Sequence, residues 1–177
     1  GGMGTLVFAN SATQVFTPHP AATLYNIYKA GSETTYVQGS GMRVSNQLTI
    51  KSGVLDLGSG LTHRAYYLSD AAPSTGRICF GSSTLRLTGG TADFNDIPVT
   101  AGTGSREFAY GSGNTDFTPR EGSVFPSLVQ NAPGRSTTVT GRGFRSAALR
   151  VNAGTFGCRN YADTVGSLSG SGKLVFN

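Results

Sequence analysis

Hydrophobic residues occur along this chain in short alternating runs, separated by Gly, Ser, Asn and Asp. Runs such as Thr5-Leu6-Val7-Phe8-Ala9 and Leu48-Thr49-Ile50 have the two-residue period of β-strands. No stretch combines good helix formers with apolar residues at helical spacing. The pattern therefore predicts an all-β fold with many turns and no helix.

The predicted strands are short, and most are followed by a turn within ten residues. They cover 5–9, 13–16, 22–29, 34–37, 42–44, 47–51, 54–57, 61–68, 77–80, 83–87, 92–94, 106–110, 116–118, 124–130, 137–140, 144–146, 148–151 and 155–158. Turns are expected at glycine-rich sequences such as Ser52-Gly53 and Gly58-Ser59-Gly60, and at Thr17-Pro18-His19-Pro20.

The chain also resembles itself at a nearly constant offset. Phe16-Thr17-Pro18 recurs as Phe117-Thr118-Pro119, and residues 48–55 recur as 149–156, both at an offset of 101. Gly39–Arg43 matches Gly141–Arg145 at 102, and Phe8-Ala9 matches Phe108-Ala109 at 100. Self-similarity at a fixed period is the signature of a repeat architecture.

These matches divide the chain into four parts. Residues 1–4 are interpreted as a linker or tag remnant, 5–105 as a first β repeat, and 106–172 as a second, incomplete repeat. Residues 173–177 resemble residues 5–9, and are interpreted as the start of a third copy or as an exchanged strand. We therefore expect the chain to continue into a further copy, in a longer protein or in a neighbouring subunit.

Two architectures accommodate such short strands. A parallel β-solenoid stacks coils of about 20 residues that have glycine corners, whereas an antiparallel β-sandwich or jelly roll pairs strands through hairpins. The solenoid is favoured because the strands are very short and the hairpin dipeptides Asn-Gly and Asp-Gly are absent. Residues 47–57 and 84–94 also look alike within the first large repeat.

Composition limits the function classes. Gly accounts for 26 of the 177 residues and only 13% of residues are charged, yet 37% are hydrophobic, which argues against a disordered chain. The net charge of +5 is concentrated after residue 100. A basic patch there could bind an anionic glycan or an acidic partner, but nucleic acid is not favoured because no RNA-binding motif is present. No apolar run is long enough to span a membrane.

The two cysteines are Cys79 and Cys158, which are too few for a disulfide scaffold and lack metal-ligand spacing. At the offset of 101, Cys158 corresponds to Leu57, an inward-facing strand position. The sequence leaves two alternatives open: a buried free thiol, or one disulfide between Cys79 and Cys158.

The segments Leu24-Tyr25-Asn26-Ile27 and Gln47–Gly58 resemble a cadence found in giant repetitive, adhesin-like surface proteins of Bacteroidetes-type bacteria. The second copy departs from it, because Gly157-Cys158-Arg159-Asn160 replaces the Asp-Leu-Gly ending. The resemblance implies a β-solenoid with a secreted, structural or adhesive role, and it brings no catalytic residues with it.

Residue patterns for catalysis are weak. Asp93 and Asp96 are the only close acidic pair, and they would meet only if the chain turns at Asn95. Capping of a turn is the favoured role for these carboxylates, and an acid–base or Ca²⁺ site is the less favoured one. Neither His19 nor His63 lies in a triad context. The sequence therefore predicts no catalytic, metal or cofactor residue.

An adhesive surface, if present, is expected at Arg64, Tyr67, Arg142 and Arg145. The function expected is a non-catalytic structural or adhesive module of a large extracellular or cell-surface protein. Its partners would be neighbouring repeats or copies of itself, a glycan or a cell surface. Two alternatives stay open: a carbohydrate-active or carbohydrate-binding β-helix, and a self-assembling filament or coat subunit that exchanges strands.

Overall fold

The computed structural model describes residues 3–100, 102–108 and 113–176, which contain twenty β-strands and no helix. The strands are β1 (Thr5–Phe8), β2 (Gln14–Phe16), β3 (Asn26–Lys29), β4 (Thr34–Val37), β5 (Arg43–Ile50), β6 (Val54–Asp56), β7 (Thr62–Asp70), β8 (Arg77–Cys79), β9 (Thr84–Leu87), β10 (Gly90–Asp93), β11 (Val99–Thr100), β12 (Arg106–Phe108), β13 (Thr115–Thr118), β14 (Val124–Phe125), β15 (Leu128–Val139), β16 (Arg145–Ser146), β17 (Leu149–Cys158), β18 (Thr164–Val165), β19 (Leu168–Ser169) and β20 (Lys173–Phe176).

Every strand pairing among the described residues is parallel, which confirms the solenoid and excludes the antiparallel sandwich. The strands stack on three faces. The first face runs from β1 to β20. The second holds a five-stranded sheet from β2 to β11 and a three-stranded sheet from β14 to β18, and the third passes through β9 and β12 to β19. Strands β5, β7, β15 and β17 pass from the third face to the first, so these two faces share one sheet.

Successive coils have nearly equal lengths in the first half of the molecule. Leu6, Ile27, Leu48 and Leu68 are in direct register on the first face, so these coils advance by 21, 21 and 20 residues. The first face has nine strands, which makes about eight coils in all. A residue therefore lies beside the residue one coil away, and the side chains form columns along the solenoid axis.

The inward columns form one continuous core. The aliphatic column on the first face contains Ile27, Leu48 and Leu68, each fully buried. Burial of one such side chain stabilises the fold by about 1.5–3 kcal/mol. In later coils the core becomes aromatic, and its neighbouring rings meet mostly edge to face with centroids 5.2–6.2 Å apart. The aromatic set is Phe94, Phe117, Phe125, Phe144 and Phe156.

A guanidinium group lies inside this aromatic core. Arg106 is 0% exposed, and its Cζ lies 3.9 Å from the ring centroid of Phe94 and 5.4 Å from that of Phe117. Burial lowers the pKa of Arg106 well below its ordinary value. The contact with the Phe94 ring opposes that effect, because an aromatic face attracts the charged form.

The corner between β5 and β6 depends on a glycine without space for a side chain. Gly53 has a φ of 69°, and a Cβ there would lie 2.1 Å from the Gly31 carbonyl oxygen and 2.6 Å from that of Glu33. The buried Lys29 side chain approaches from the preceding coil, and its Nζ donates a hydrogen bond to the Gly31 carbonyl at 2.5 Å.

The same corner recurs 101 residues later. A Cβ on Gly154 would meet the carbonyl oxygens of Ala132 and Arg135 at 2.2 and 2.5 Å, and the Gln130 amide at 2.9 Å. Gln130 is fully buried and donates to the Arg135 carbonyl at 3.4 Å. Each corner therefore pairs an obligatory glycine with a buried polar side chain that satisfies the carbonyls of the turn.

The matching corners lie on different faces. Residues 48–50 pair on the first face, whereas residues 149–151 pair on the third. The offset of 101 residues therefore corresponds to about four and two-thirds coils. The recurring unit is a strand, a corner and the next strand, and it occurs at two different corners of the coil. The division into repeats at residues 5–105 and 106–172 stays a prediction.

Replacing Gly53 by Ala is expected to cost about 3 kcal/mol or more, because it combines a positive φ with overlap on two carbonyl oxygens. Gly60 is the matched control: its φ is also 69°, but a Cβ there meets nothing within 4 Å. Gly60→Ala should cost only about 1–2 kcal/mol. Urea unfolding of both variants measures the difference, and equal losses would contradict the steric account.

His63 is the buried polar group of the corner after β6. It is 0% exposed, its Nε2 lies 2.8 Å from the Leu57 carbonyl oxygen, and its Nδ1 lies 3.2 Å from the Met42 amide nitrogen. A carbonyl only accepts and an amide only donates, so Nε2 carries the proton and Nδ1 accepts. Burial lowers the pKa of His63, because the protonated ring would lose its hydration, and the hydrogen bond to the Leu57 carbonyl opposes this effect only in part.

The free energy of unfolding should fall as the pH is lowered through 6.5, because the unfolded chain then binds a proton that the folded chain excludes. The slope due to His63 has an upper limit of about 1.4 kcal/mol per pH unit. Urea unfolding between pH 7.5 and 5.5 measures it. A His63→Gln variant should lose this part of the slope. The control His19→Gln, at an exposed position, should keep it. The opposite pattern would show that the slope does not come from His63.

Candidate functional site

Three arginines form one outward column on the third face, which we term the arginine column. Arg43 lies opposite Arg64 in the β5–β7 pair, and Arg64 lies opposite Arg86 in the β7–β9 pair. Adjacent strands are about 4.8 Å apart. Arg43 and Arg64 are exposed, while the residues on either side of them point into the core.

The arginine column meets an acidic residue at one end. Glu107 follows Arg86 in register, and its Oε2 lies 2.5 Å from the Arg86 Nε in a half-buried pair. Like charges directly opposite each other on neighbouring strands destabilise a sheet. Arg43 and Arg64 are such a pair, and both side chains are exposed on the third face.

An aromatic ring borders this basic surface. Tyr66 lies two residues after Arg64 on the same side of β7, is 38% exposed, and meets Tyr67 edge-on with ring centroids 5.6 Å apart. A Cβ on Gly89 would lie 2.8 Å from the Tyr66 ring, so the ring packs directly over this glycine. Both tyrosines face outwards because β7 turns the corner between the third and first faces at this point.

A second polar cluster occupies the corner after β10. The chain turns at Asn95, and the Asp93 Oδ1 accepts the Asn95 N–H at 2.9 Å, which confirms the turn-capping role predicted for Asp93. The Asp96 carboxylate instead accepts a hydrogen bond from the Asn95 side-chain amide at 3.2 Å. Asp70 Oδ2 accepts the Asp96 N–H at 3.1 Å. Burial raises the pKa of Asp70, and the charges of Asp93 and Asp96 raise it further.

Arg142 connects this corner to the next coils. Its Nη1 lies 3.2 Å from a Glu121 carboxylate oxygen, and its Nη2 donates to the Asn95 side-chain oxygen at 3.1 Å. These residues, with Asp96 and Arg120, line a cavity of about 240 Å³. Because the groups of this cluster already bind one another, the arrangement is suited to fixing the corner rather than to acid–base chemistry.

The four predicted contact residues lie on two separate surfaces. Arg64 and Tyr67 belong to β7, whereas Arg145 lies on the second face in β16 and Arg142 precedes it at the corner. Arg142, Arg145 and Tyr161 line one larger cavity of about 550 Å³. Whether any of these residues binds a partner stays a prediction.

Sequence reasoning did not single out Arg43 and Arg86, and of the two adjacent tyrosines it named Tyr67 rather than Tyr66. A signal was present, because Arg43, Arg64 and Arg86 are separated by one coil length each. That spacing becomes informative only when the coil length is known.

Both cysteines are free, so the disulfide left open by the sequence is not formed. Cys79 lies in β8 on the second face and Cys158 lies at the end of β17 on the first face, several coils away. Cys158 is 2% exposed, as expected from its match with the buried Leu57. Burial, together with Asp163, raises the pKa of the Cys158 thiol to about 12.

A thiol reagent such as DTNB should therefore label native protein at Cys79 only, because Cys158 is buried and has almost no thiolate at pH 8. In a Cys79→Ser variant we expect no rapid labelling until denaturant is added, and one thiol per chain afterwards. Cys158→Ser should react like native wild type. Rapid labelling of native Cys79→Ser would contradict the buried position of Cys158.

The last coil leaves apolar side chains uncovered. Phe176 is 72% exposed and Leu168 is 59% exposed. With Leu174, Val165 and Cys158 they border a hollow of about 270 Å³ at the end of the core. This hollow is a further candidate site, for a ligand or partner that supplies another apolar layer.

Comparisons with known proteins give no assignment: no protein-family model, curated protein or solved structure matches the chain. Within residues 3–100, 102–108 and 113–176, no group of three or more His, Cys, Asp or Glu side chains is placed to hold a metal ion. Within the same ranges, no helix is long and apolar enough to cross a membrane.

Proposed function

We propose that the chain is a non-catalytic structural module of a large secreted or cell-surface repeat protein, and that its end coils bind neighbouring coils of the same kind. The observation that carries this proposal is the uncovered apolar end of the core, at Leu168, Leu174 and Phe176. Large exposed apolar side chains grouped at one place are typical of a protein interface.

The first coil has the complementary surface. Among the described residues, strand β1 pairs on one side only, with β3, so its other edge has no strand partner there. Leu6 and Phe8 alternate along β1 as Leu174 and Phe176 do along β20. A second copy placed with β1 beside β20 would continue the parallel stacking and cover Phe176.

Such a contact joins two different surfaces, the last coil of one copy and the first coil of the next. A head-to-tail contact of this kind leaves one end surface free on each terminal copy. It therefore produces linear assemblies, unless the rotation between copies closes them into a ring. The same geometry serves consecutive modules of one long chain and separate subunits of a filament. Both are extended structures that display their faces at regular intervals.

Self-association tests the proposal. In sedimentation velocity, the weight-average sedimentation coefficient of wild type should rise with concentration. A Leu168→Glu/Phe176→Glu variant should stay monomeric, because two carboxylates would then enter an apolar contact. Val124→Glu is the control, since Val124 is 38% exposed on the second face, away from the last coil. It should associate like wild type.

A wild-type protein that stays monomeric at every concentration would contradict end-to-end binding between copies. Equal association of wild type and the Leu168→Glu/Phe176→Glu variant would place the contact elsewhere on the molecule. Circular dichroism of each variant establishes that the β structure is retained, so that loss of association is not loss of folding.

A further inference from the structure

We propose that the third face binds an acidic polysaccharide, which runs along the solenoid axis over the arginine column and contacts Tyr66. This inference does not depend on end-to-end association of the module. It rests on the charge, spacing and surroundings of Arg43, Arg64 and Arg86.

The charge of the arginine column is arranged in a line. Arg43, Arg64 and Arg86 occupy equivalent positions in three consecutive coils, and Arg43 and Arg64 are the exposed members. The carboxylate of Glu107 is bound to Arg86, at the end away from Arg43. An anionic ligand on this face would meet Arg43 and Arg64 first, because they are the exposed members of the column.

The spacing selects a polymer. Neighbouring arginines are one strand apart, about 4.8 Å, which is close to the length of one sugar unit in an extended chain. An acidic polysaccharide laid across the strands would bring a carboxylate or sulfate to each coil. A guanidinium group can bind such an anion through two parallel hydrogen bonds.

The residues beside the column suit sugars. Thr62 and Thr84 are in register two positions before Arg64 and Arg86, and they provide hydroxyl groups on one flank. Tyr66, 38% exposed, provides an aromatic ring on the other flank. Hydroxyl groups hydrogen-bond to sugar hydroxyls, and aromatic rings pack against the C–H faces of sugars.

Single-stranded nucleic acid is the main competing polyanion. Proteins that bind it combine a basic groove with several aromatic rings on which successive bases stack. The third face has one exposed ring beside the column, Tyr66, among the described residues. The surface therefore favours a polymer of linked sugars with regularly spaced charges.

Binding of polygalacturonate, with dextran sulfate as a sulfated probe, tests the inference by biolayer interferometry at low and moderate salt. Wild type should bind at least one of the two acidic polymers, with affinity that falls as salt rises, and should not bind neutral dextran. The Arg43→Gln/Arg64→Gln variant should bind about tenfold more weakly, as expected when two charge-assisted contacts are lost. Tyr66→Ala should weaken binding without changing its salt dependence.

The matched control is Arg77→Gln/Arg159→Gln, which removes the same charge from exposed positions away from the third face, in β8 and directly after β17. It should change affinity less than twofold, and thermal unfolding should show both double variants folded. Equal weakening by the two double variants would overturn the inference, because only net charge would then matter. Absence of binding to both acidic polymers, or tighter binding to single-stranded DNA than to either of them, would also overturn it.

Discussion

The structure depends on parallel, in-register hydrogen bonding between one coil and the next. This pairing places each side chain beside the residue about 21 positions away. Each residue must therefore be compatible with its counterparts in the coils on either side. Apolar columns strengthen one another, as in the series from Ile27 to Leu68. Polar columns are stable where donors and acceptors match, as between Thr118 and Thr140, whose hydroxyls lie 2.8 Å apart. A column of like charges gains nothing from this pairing, so the arginine column is a feature that folding alone does not favour.

The corners explain why the chain resembles itself at an offset that is not a whole number of coils. Gly53 and Gly154 are under the same steric constraint, since each lies against two carbonyl oxygens of the neighbouring coil and leaves no space for a side chain. Lys29 and Gln130 have the same role, because each donates a hydrogen bond from a buried position to a carbonyl oxygen of the corner. The solutions are local, so they can be reused on a different face. Selection for a corner therefore leaves a sequence repeat whose period need not equal the coil length.

Local chemistry was sufficient to predict the fold class. Short alternating runs and glycine corners indicated a parallel solenoid. The predicted strand bounds were wrong where a strand bends from one face to the next without a glycine. The polar residues at 45 and 46 predicted a break, but residues 43–50 form one strand. The strand bends at these residues and continues after a register shift. Residues 128–139 form one strand despite Pro133, again across register shifts that absorb the irregular residues. The short strands β11, β18 and β19 were not predicted, since two-residue strands have no visible alternation.

The candidate site was less predictable, because a column joins residues that are distant in sequence. Arg64 and Tyr67 could be singled out on one strand, but Arg43 and Arg86 join them only through register with the coils on either side. The same register has an energetic consequence for the proposed assembly. A polymer lying along the axis gains one contact per coil, so each contact can be weak while the sum is not. If copies stack end to end, a ligand long enough to touch two of them stabilises the stack, and the stack in turn raises the affinity for the ligand. Coil pairing would then connect the stability of the module, its assembly and its binding.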